Sequence, residues 1–111
     1  MREIRFSLLP AELYVLDVTI EGRPDPETGV IIDLSRFETI VNECVINRFD
    51  HKHLNTDCQE FATRNPSTEN ITRVVWDKLD GAFPGCRLHA VRVWETPRTY
   101  AEYTGDEAAH A

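Results

Sequence analysis

Histidine is absent from the first fifty residues, cysteine occurs three times in 111 positions, and twelve lysines and arginines face nineteen aspartates and glutamates. Each scarcity excludes something. Cys44, Cys58 and Cys86 are odd in number and widely spaced, so they form neither a disulfide framework nor a CxxC zinc knuckle. They fit reduced thiols in a reducing compartment. A net charge of −7 argues against nucleic acid and anionic membrane as partners, because both need a basic patch to displace counterions. No apolar run approaches the roughly 20 residues that span a bilayer, and no signal-like stretch follows the opening MREIRFS. The expectation is a soluble, cytoplasmic protein. Phosphate-cradling glycine loops, nucleophile motifs for acyl transfer and internal repeats are also missing.

What is present suits one globular domain: 41% of residues are hydrophobic and 28% charged. Residues 1–105 are expected to form it, with 106–111 as a short acidic tail. Residues 2–9 alternate as a strand, with Ile4, Phe6 and Leu8 on one face, and Pro10-Ala11 then reads as a turn. Residues 12–21 alternate more cleanly, Tyr14, Leu16, Val18 and Ile20 opposing Val15, Asp17 and Thr19, so the two runs can pair as an antiparallel hairpin. Turn formers fill residues 22–29, and residues 30–32 return to the core.

Ser35 and Glu38 fit a capping box for a helix running to about Phe49, with Phe37, Ile40, Val41, Cys44 and Val45 as its apolar stripe. Residues 50–66 read as an irregular polar loop. A second helix is capped by Ser67 or Thr68, carries Ile71, Val74, Val75 and Leu79 as its stripe, and meets Gly81 as a left-handed terminus. Residues 87–95 and 99–104 make two closing strands around the turn Thr96-Pro97-Arg98; in the first, Leu88, Ala90 and Arg92 alternate with His89, Val91 and Val93. Strand, strand, helix, helix, strand, strand gives an α+β domain, a four-stranded antiparallel sheet with two helices on one face. Its open edges point to a homo-oligomer.

Four positions carry candidate chemistry. Asp50-His51 joins a base near neutral pH to a carboxylate that can orient it, against the plainer reading of a solvated loop histidine. Glu95 ends an apolar strand, where a carboxylate needs donors; two neighbouring N–H groups of a pterin or guanine would satisfy both oxygens, and Arg98 or water is the alternative. Ser67 and Thr68 open a helix, where capping competes with holding a ligand's polar edge. His51-x-His53 with Cys58 is a weak pattern for zinc.

Several of these residues fall in segments that together resemble one family. Gly29-Val-Ile-Ile-Asp-Leu34, Phe49-Asp-His-Lys-His-Leu-Asn55, Pro66-Ser-Thr-Glu-Asn70, Val93-Trp-Glu-Thr-Pro97 and Glu102-Tyr103 occur in the order of the 6-pyruvoyl/6-carboxytetrahydropterin synthases. The resemblance implies the tunnelling fold, a ββααββ unit whose copies join into trimeric rings and hexamers with active sites between subunits. It implies a ligand of the dihydroneopterin triphosphate type, gripped by Glu95 beside Ser67 and Thr68, with Asp50 and His51 in the proton relay.

The first strands depart from the family pattern. Zinc histidines are expected after the Phe-Ser of strand one and in an HGHNY motif opening strand two; Pro10 and Glu12 stand there instead, and no cysteine precedes Cys44. Zinc in this family polarises the substrate side chain and makes its C–H protons removable. Proline cannot coordinate and one glutamate is not a zinc site, so no cofactor and no metal ligand are assigned. Three readings stay open: a zinc-free pterin-binding protein with lost or altered turnover, a pterin lyase with a metal site rebuilt from His51, His53, Glu12 or a neighbouring subunit, and a non-catalytic structural oligomer.

Overall fold

The computed structural model describes residues 2–8, 12–29, 31–52, 54–65 and 67–105, with side chains for 14–29, 31–52, 56–65 and 67–105. Outside them lie the Pro10-Ala11 turn, Val30, His53, Pro66 and the acidic tail; the expected faces of Ile4, Phe6 and Leu8 and the side chain of Glu12 are likewise not described. Strands β1 (Arg2–Leu8), β2 (Glu12–Gly22), β3 (Cys86–Thr96) and β4 (Thr99–Tyr103) lie side by side in sequence order, each pair antiparallel.

Tyr14, Leu16 and Val18 are buried on the helix side of β2, as the alternation predicts. In β3 the alternation breaks. Thr19 pairs with Ala90 but Ile20 pairs with Leu88, so His89 is an extra residue in the ladder. That bulge moves Leu88 onto the face of Val91 and Val93, and all three are buried together. The expected grouping of Leu88 with Ala90 and Arg92 is therefore corrected: an inserted residue shifts a period of two by one. Ile31 is also corrected, since it is exposed while Ile32 packs against the core.

Helix α1 (Leu34–Val41) starts two residues earlier than the capping box implied. Asp33 is its N-cap, without a side-chain cap, and Phe37 N–H donates to the Asp33 carbonyl at 3.0 Å, which leaves Ser35 inside the first turn. A π-helical turn (Asn42–Ile46) follows and then the short α2 (Asn47–Phe49). Val41, Val45 and Phe49 are all buried. Their spacing of four suits a turn wider than α, which keeps them over the core instead of drifting around the axis. The loop expected at 50–66 contains a single-turn α3 (Leu54–Asp57) and a 3-10 turn (Gln59–Phe61), because Phe61 and Cys58 drop into the core and Phe61 stacks edge-on against Phe49 at 6.0 Å. Apolar side chains four and three residues apart favour local helical turns once one side is buried.

Helix α4 (Thr68–Leu79) buries Ile71, Val74, Val75 and Leu79 as expected, together with Thr72 and Trp76. Gly81 follows the Asp80 C-cap at φ 79°, a conformation that only glycine adopts cheaply. Helices and sheet enclose one core. The buried helix side chains share that core with Tyr14, Leu16, Val18, Val91 and Val93; the opposite sheet face includes, among the described residues, Asp17, Arg92, Trp94, Tyr100 and Glu102, opposed in register as Asp17–Arg92, Arg92–Glu102 and Trp94–Tyr100.

Candidate functional site

Helix α4 begins where the sheet ends. Ser67 has extended backbone and its Oγ accepts from the Asn70 N–H at 3.2 Å, so Ser67 is the cap and Thr68 is released from that task. Asn70 secures the entry further by donating from Nδ2 to the Asn65 carbonyl at 2.7 Å. The Thr68 hydroxyl donates to Glu95 Oε2 at 2.9 Å, joining two residues 27 positions apart. The Arg98 backbone N–H donates to Thr96 Oγ1 in the turn that follows.

Glu95 reaches Thr68 for a geometric reason. It has the parity of Val91 and Val93, which places it on the helix side of β3. Beyond Trp94 the β3–β4 ladder slips: Trp94 pairs with Tyr100 and Thr96 with Thr99, so Glu95 is a bulged residue with no cross-strand partner in β4. Bulges of this kind re-aim side chains. The carboxylate is exposed at the mouth of the helix, and Thr68 satisfies one of its oxygens.

Asp50 and His51 form a second contact. His51 adopts φ 60°, a left-handed conformation tolerated by histidine more than by most residues, immediately after the helical segment. Its Nε2 lies 3.6 Å from Asp50 Oδ2, an ion-pair distance longer than a hydrogen bond, and its side chain is 75% exposed. The base of this segment is firmly tied. Glu60 accepts from Arg48 at 2.8 and 3.1 Å and meets Lys78 Nζ at 2.8 Å, linking α2, the 3-10 turn and α4. The Arg48 hydrogen bonds hold the Glu60 carboxyl at about 2, below its ordinary 4.5; burial opposes the shift and Lys78 adds to it.

Of the zinc pattern weighed for His51, His53 and Cys58, His53 lies outside the described residues. Cys58 is buried, its thiol faces the Arg48 carbonyl at 3.9 Å, and burial pushes its pKa up, the opposite of a thiolate ligand. No group of three or more His, Cys, Asp or Glu side chains converges among the described residues. Pro10 and Glu12, where the resemblance expects zinc histidines, lie outside the residues whose side chains are described, and no chemical step is routed through a metal. An open apolar groove of about 340 Å³, lined by Val18, Ile20, Ile31, Ile32, Leu34 and Phe37, lies toward the other end of the sheet and offers little to a polar heterocycle.

Sequence reasoning overlooked the residues behind Glu95. Trp94 Nε1 donates to Asp17 Oδ2 at 2.8 Å across 77 positions, and Asp17 is 7% exposed. The signal was available: Asp17 and Trp94 each sit one residue out of phase with the apolar series of their strands.

Residues 13–106 match the family model described as 6-pyruvoyl tetrahydropterin synthase. The chain belongs to that family. It is 33% identical over 93 residues to the human 6-pyruvoyl tetrahydrobiopterin synthase, covering 84% of this chain and 64% of the relative. The Dictyostelium discoideum 6-pyruvoyl tetrahydrobiopterin synthase is 32% identical, with 84% and 68% covered. A 6-carboxy-5,6,7,8-tetrahydropterin synthase from Synechocystis is 35% identical over 78 residues, with 69% and 57% covered. The solved structure of the Caenorhabditis elegans 6-pyruvoyl tetrahydropterin synthase superposes with a TM-score of 0.76 at 28% identity, over 85% of this chain and 67% of that one. The chain thus shares the fold of a pterin synthase, with helices packed on an antiparallel sheet, and spans just under two thirds of the length of the human relative. No helix among the described residues is long and apolar enough to cross a membrane.

Proposed function

We propose that the protein binds a pterin of the dihydroneopterin triphosphate type, with Glu95 as the anchor for the ring. The observation that carries this reading is the Thr68–Glu95 hydrogen bond at the start of α4. Thr68 holds Oε2, and the carboxylate stays exposed for the 2-amino and N3–H edge of the ligand. Ser67 shapes the pocket wall as the cap of the same helix. His51 is the proton carrier and Asp50 its orienting carboxylate; their separation of 3.6 Å would tighten when ligand excludes water.

Turnover of the family kind is reduced or altered in this reading. Pro10 and Glu12 are taken as standing where the family resemblance expects zinc histidines, so that without a Lewis acid His51 would face a C–H bond of ordinary acidity. The working unit is a cytoplasmic homo-oligomer, a trimer or hexamer built by joining four-stranded sheets, with residues 1–105 as its single domain. Family membership supports the assembly, and the unpaired sheet edges supply its physical reason.

Fluorescence titration with neopterin tests the anchor. Glu95→Ala should weaken binding about 10- to 100-fold, the effect of losing hydrogen bonds to a charged group. Equal affinity in the variant refutes the assignment. Metal analysis of the purified protein tests the rest: stoichiometric zinc whose removal abolishes activity would replace this reading with a working lyase.

A further inference from the structure

The uncovered sheet face holds a buried acid that the proposed ligand never touches. Asp17 is 7% exposed although it lies on the face opposite the buried apolar series of β2, and its Oδ1 is buried without a hydrogen-bond partner among the described residues. Oδ2 has one partner, the indole N–H of Trp94. A buried carboxyl group so sparsely satisfied is costly, and such groups persist where they serve a purpose beyond packing.

Its place in the sheet suggests the purpose. Glu95 has no partner in the β4 ladder, so its direction is set by its two chain neighbours. Thr96 on one side is held by a 2.7 Å hydroxyl contact with Thr99 and by N–H donors from Arg98 and Thr99. Trp94 on the other side is held by Asp17, by the tilted ring of Tyr100 at 4.6 Å, and by the Arg92 guanidinium at 5.6 Å from its ring centroid. Of these, only the Asp17 contact is directional and shielded from water.

We infer that Asp17 and Trp94 are positioning residues: their hydrogen bond on one face of the sheet aims the bulged Glu95 at Thr68 on the other. The inference rests on the pterin-anchor reading for its functional meaning, while the aiming itself is a property of the free protein. Two readouts therefore separate them. The first is the NMR carboxyl-carbon signal of Glu95 in ligand-free protein, with Thr68→Val as the reference for a released carboxylate. Trp94→Phe should move this signal toward the Thr68→Val position, and Asp17→Asn, which keeps an acceptor, should leave it near the parent. The second is neopterin affinity, which Trp94→Phe should lower about two- to tenfold, the effect of one net hydrogen bond. In a Glu95→Ala background the same substitution should cost nothing more.

An unmoved Glu95 signal in Trp94→Phe overturns the proposal. So does an equal loss of affinity with and without Glu95, which would make Trp94 merely structural. A moved signal in a protein whose Glu95→Ala variant binds neopterin normally keeps the positioning role and removes the pterin anchor. Should Trp94→Phe fail to fold, Asp17→Val breaks the same contact from the other side and gives the same readouts.

Discussion

Along β3, Val91 and Val93 are fully buried under the helix layer, while Arg92 and Trp94, one residue away in each case, lie on the face that no described helix covers. The first face is held by removal of apolar surface from water, which is non-directional and tolerant of position. The second is held by contacts with fixed geometry. Asp17 accepts from Trp94, and Arg92 donates twice to Glu102 Oε1, at 2.9 and 3.1 Å, while its guanidinium lies over the Tyr100 ring at 4.2 Å. Glu95 belongs to both: its parity is that of the apolar face, and its aim depends on a neighbour anchored on the polar one. A strand can thus spend one face on stability and use the other to orient a residue at its tip.

The largest test of this contrast is Leu16→Ala, which opens a cavity on the covered face where Leu16 is 0% exposed. A loss of about 2–5 kcal/mol in urea unfolding is expected. Trp94→Phe acts on the uncovered face, leaving Asp17 without its donor; about 1–3 kcal/mol should be lost, with the core's cooperativity intact. If it costs as much as Leu16→Ala, the uncovered face is a second core and the contrast fails.

Acid sharpens the comparison from outside the sheet. The folded pKa of Glu60 is held at about 2 against 4.5, so its contribution is complete above pH 4.5 and is lost as pH falls from there toward 2. Thermal melts of the parent and Glu60→Gln should converge across that window, the parent's advantage being full above it and shrinking as pH falls through it. Smallest of all is Glu102→Gln. Its partner Arg92 is 28% exposed and Glu102 35%, so about 0.2–1 kcal/mol is expected, shrinking further in molar salt.

Much of the fold was legible because two periods dominate it. Tyr14, Leu16 and Val18 alternate, and Ile71, Val74, Val75 and Leu79 recur at helical spacing, and each set is buried as a unit. Misreadings fall where a local rule met a competing option. Ser35 and Glu38 satisfy the capping pattern, yet Asp33 is the N-cap because Phe37 closes the first turn two residues earlier. In β3 the extra His89 reversed the phase of the strand, and no turn residue advertises such a bulge. Polar letters around Phe61 suggested a loop, but one large aromatic reaching Phe49 was enough to wind the chain. At the site, Ser67, Thr68 and Glu95 each stood out by local context, whereas their sharing of work, Ser67 to the cap and Thr68 to the carboxylate, is a matter of distance.

Composition and pattern alone determine that this chain builds a strand pair, a helical middle and a second strand pair, and its motifs carry the family, since side-chain period and motif spacing are properties of the chain itself. The contacts that hold Glu95 belong to the folded state. Thr68 is 27 residues away from it, and the Asp17 that holds its neighbour is 77 from Trp94. Hydrogen bonds between groups so far apart form only after the sheet's register is set, and that register turns on two inserted residues whose effect is geometric rather than chemical.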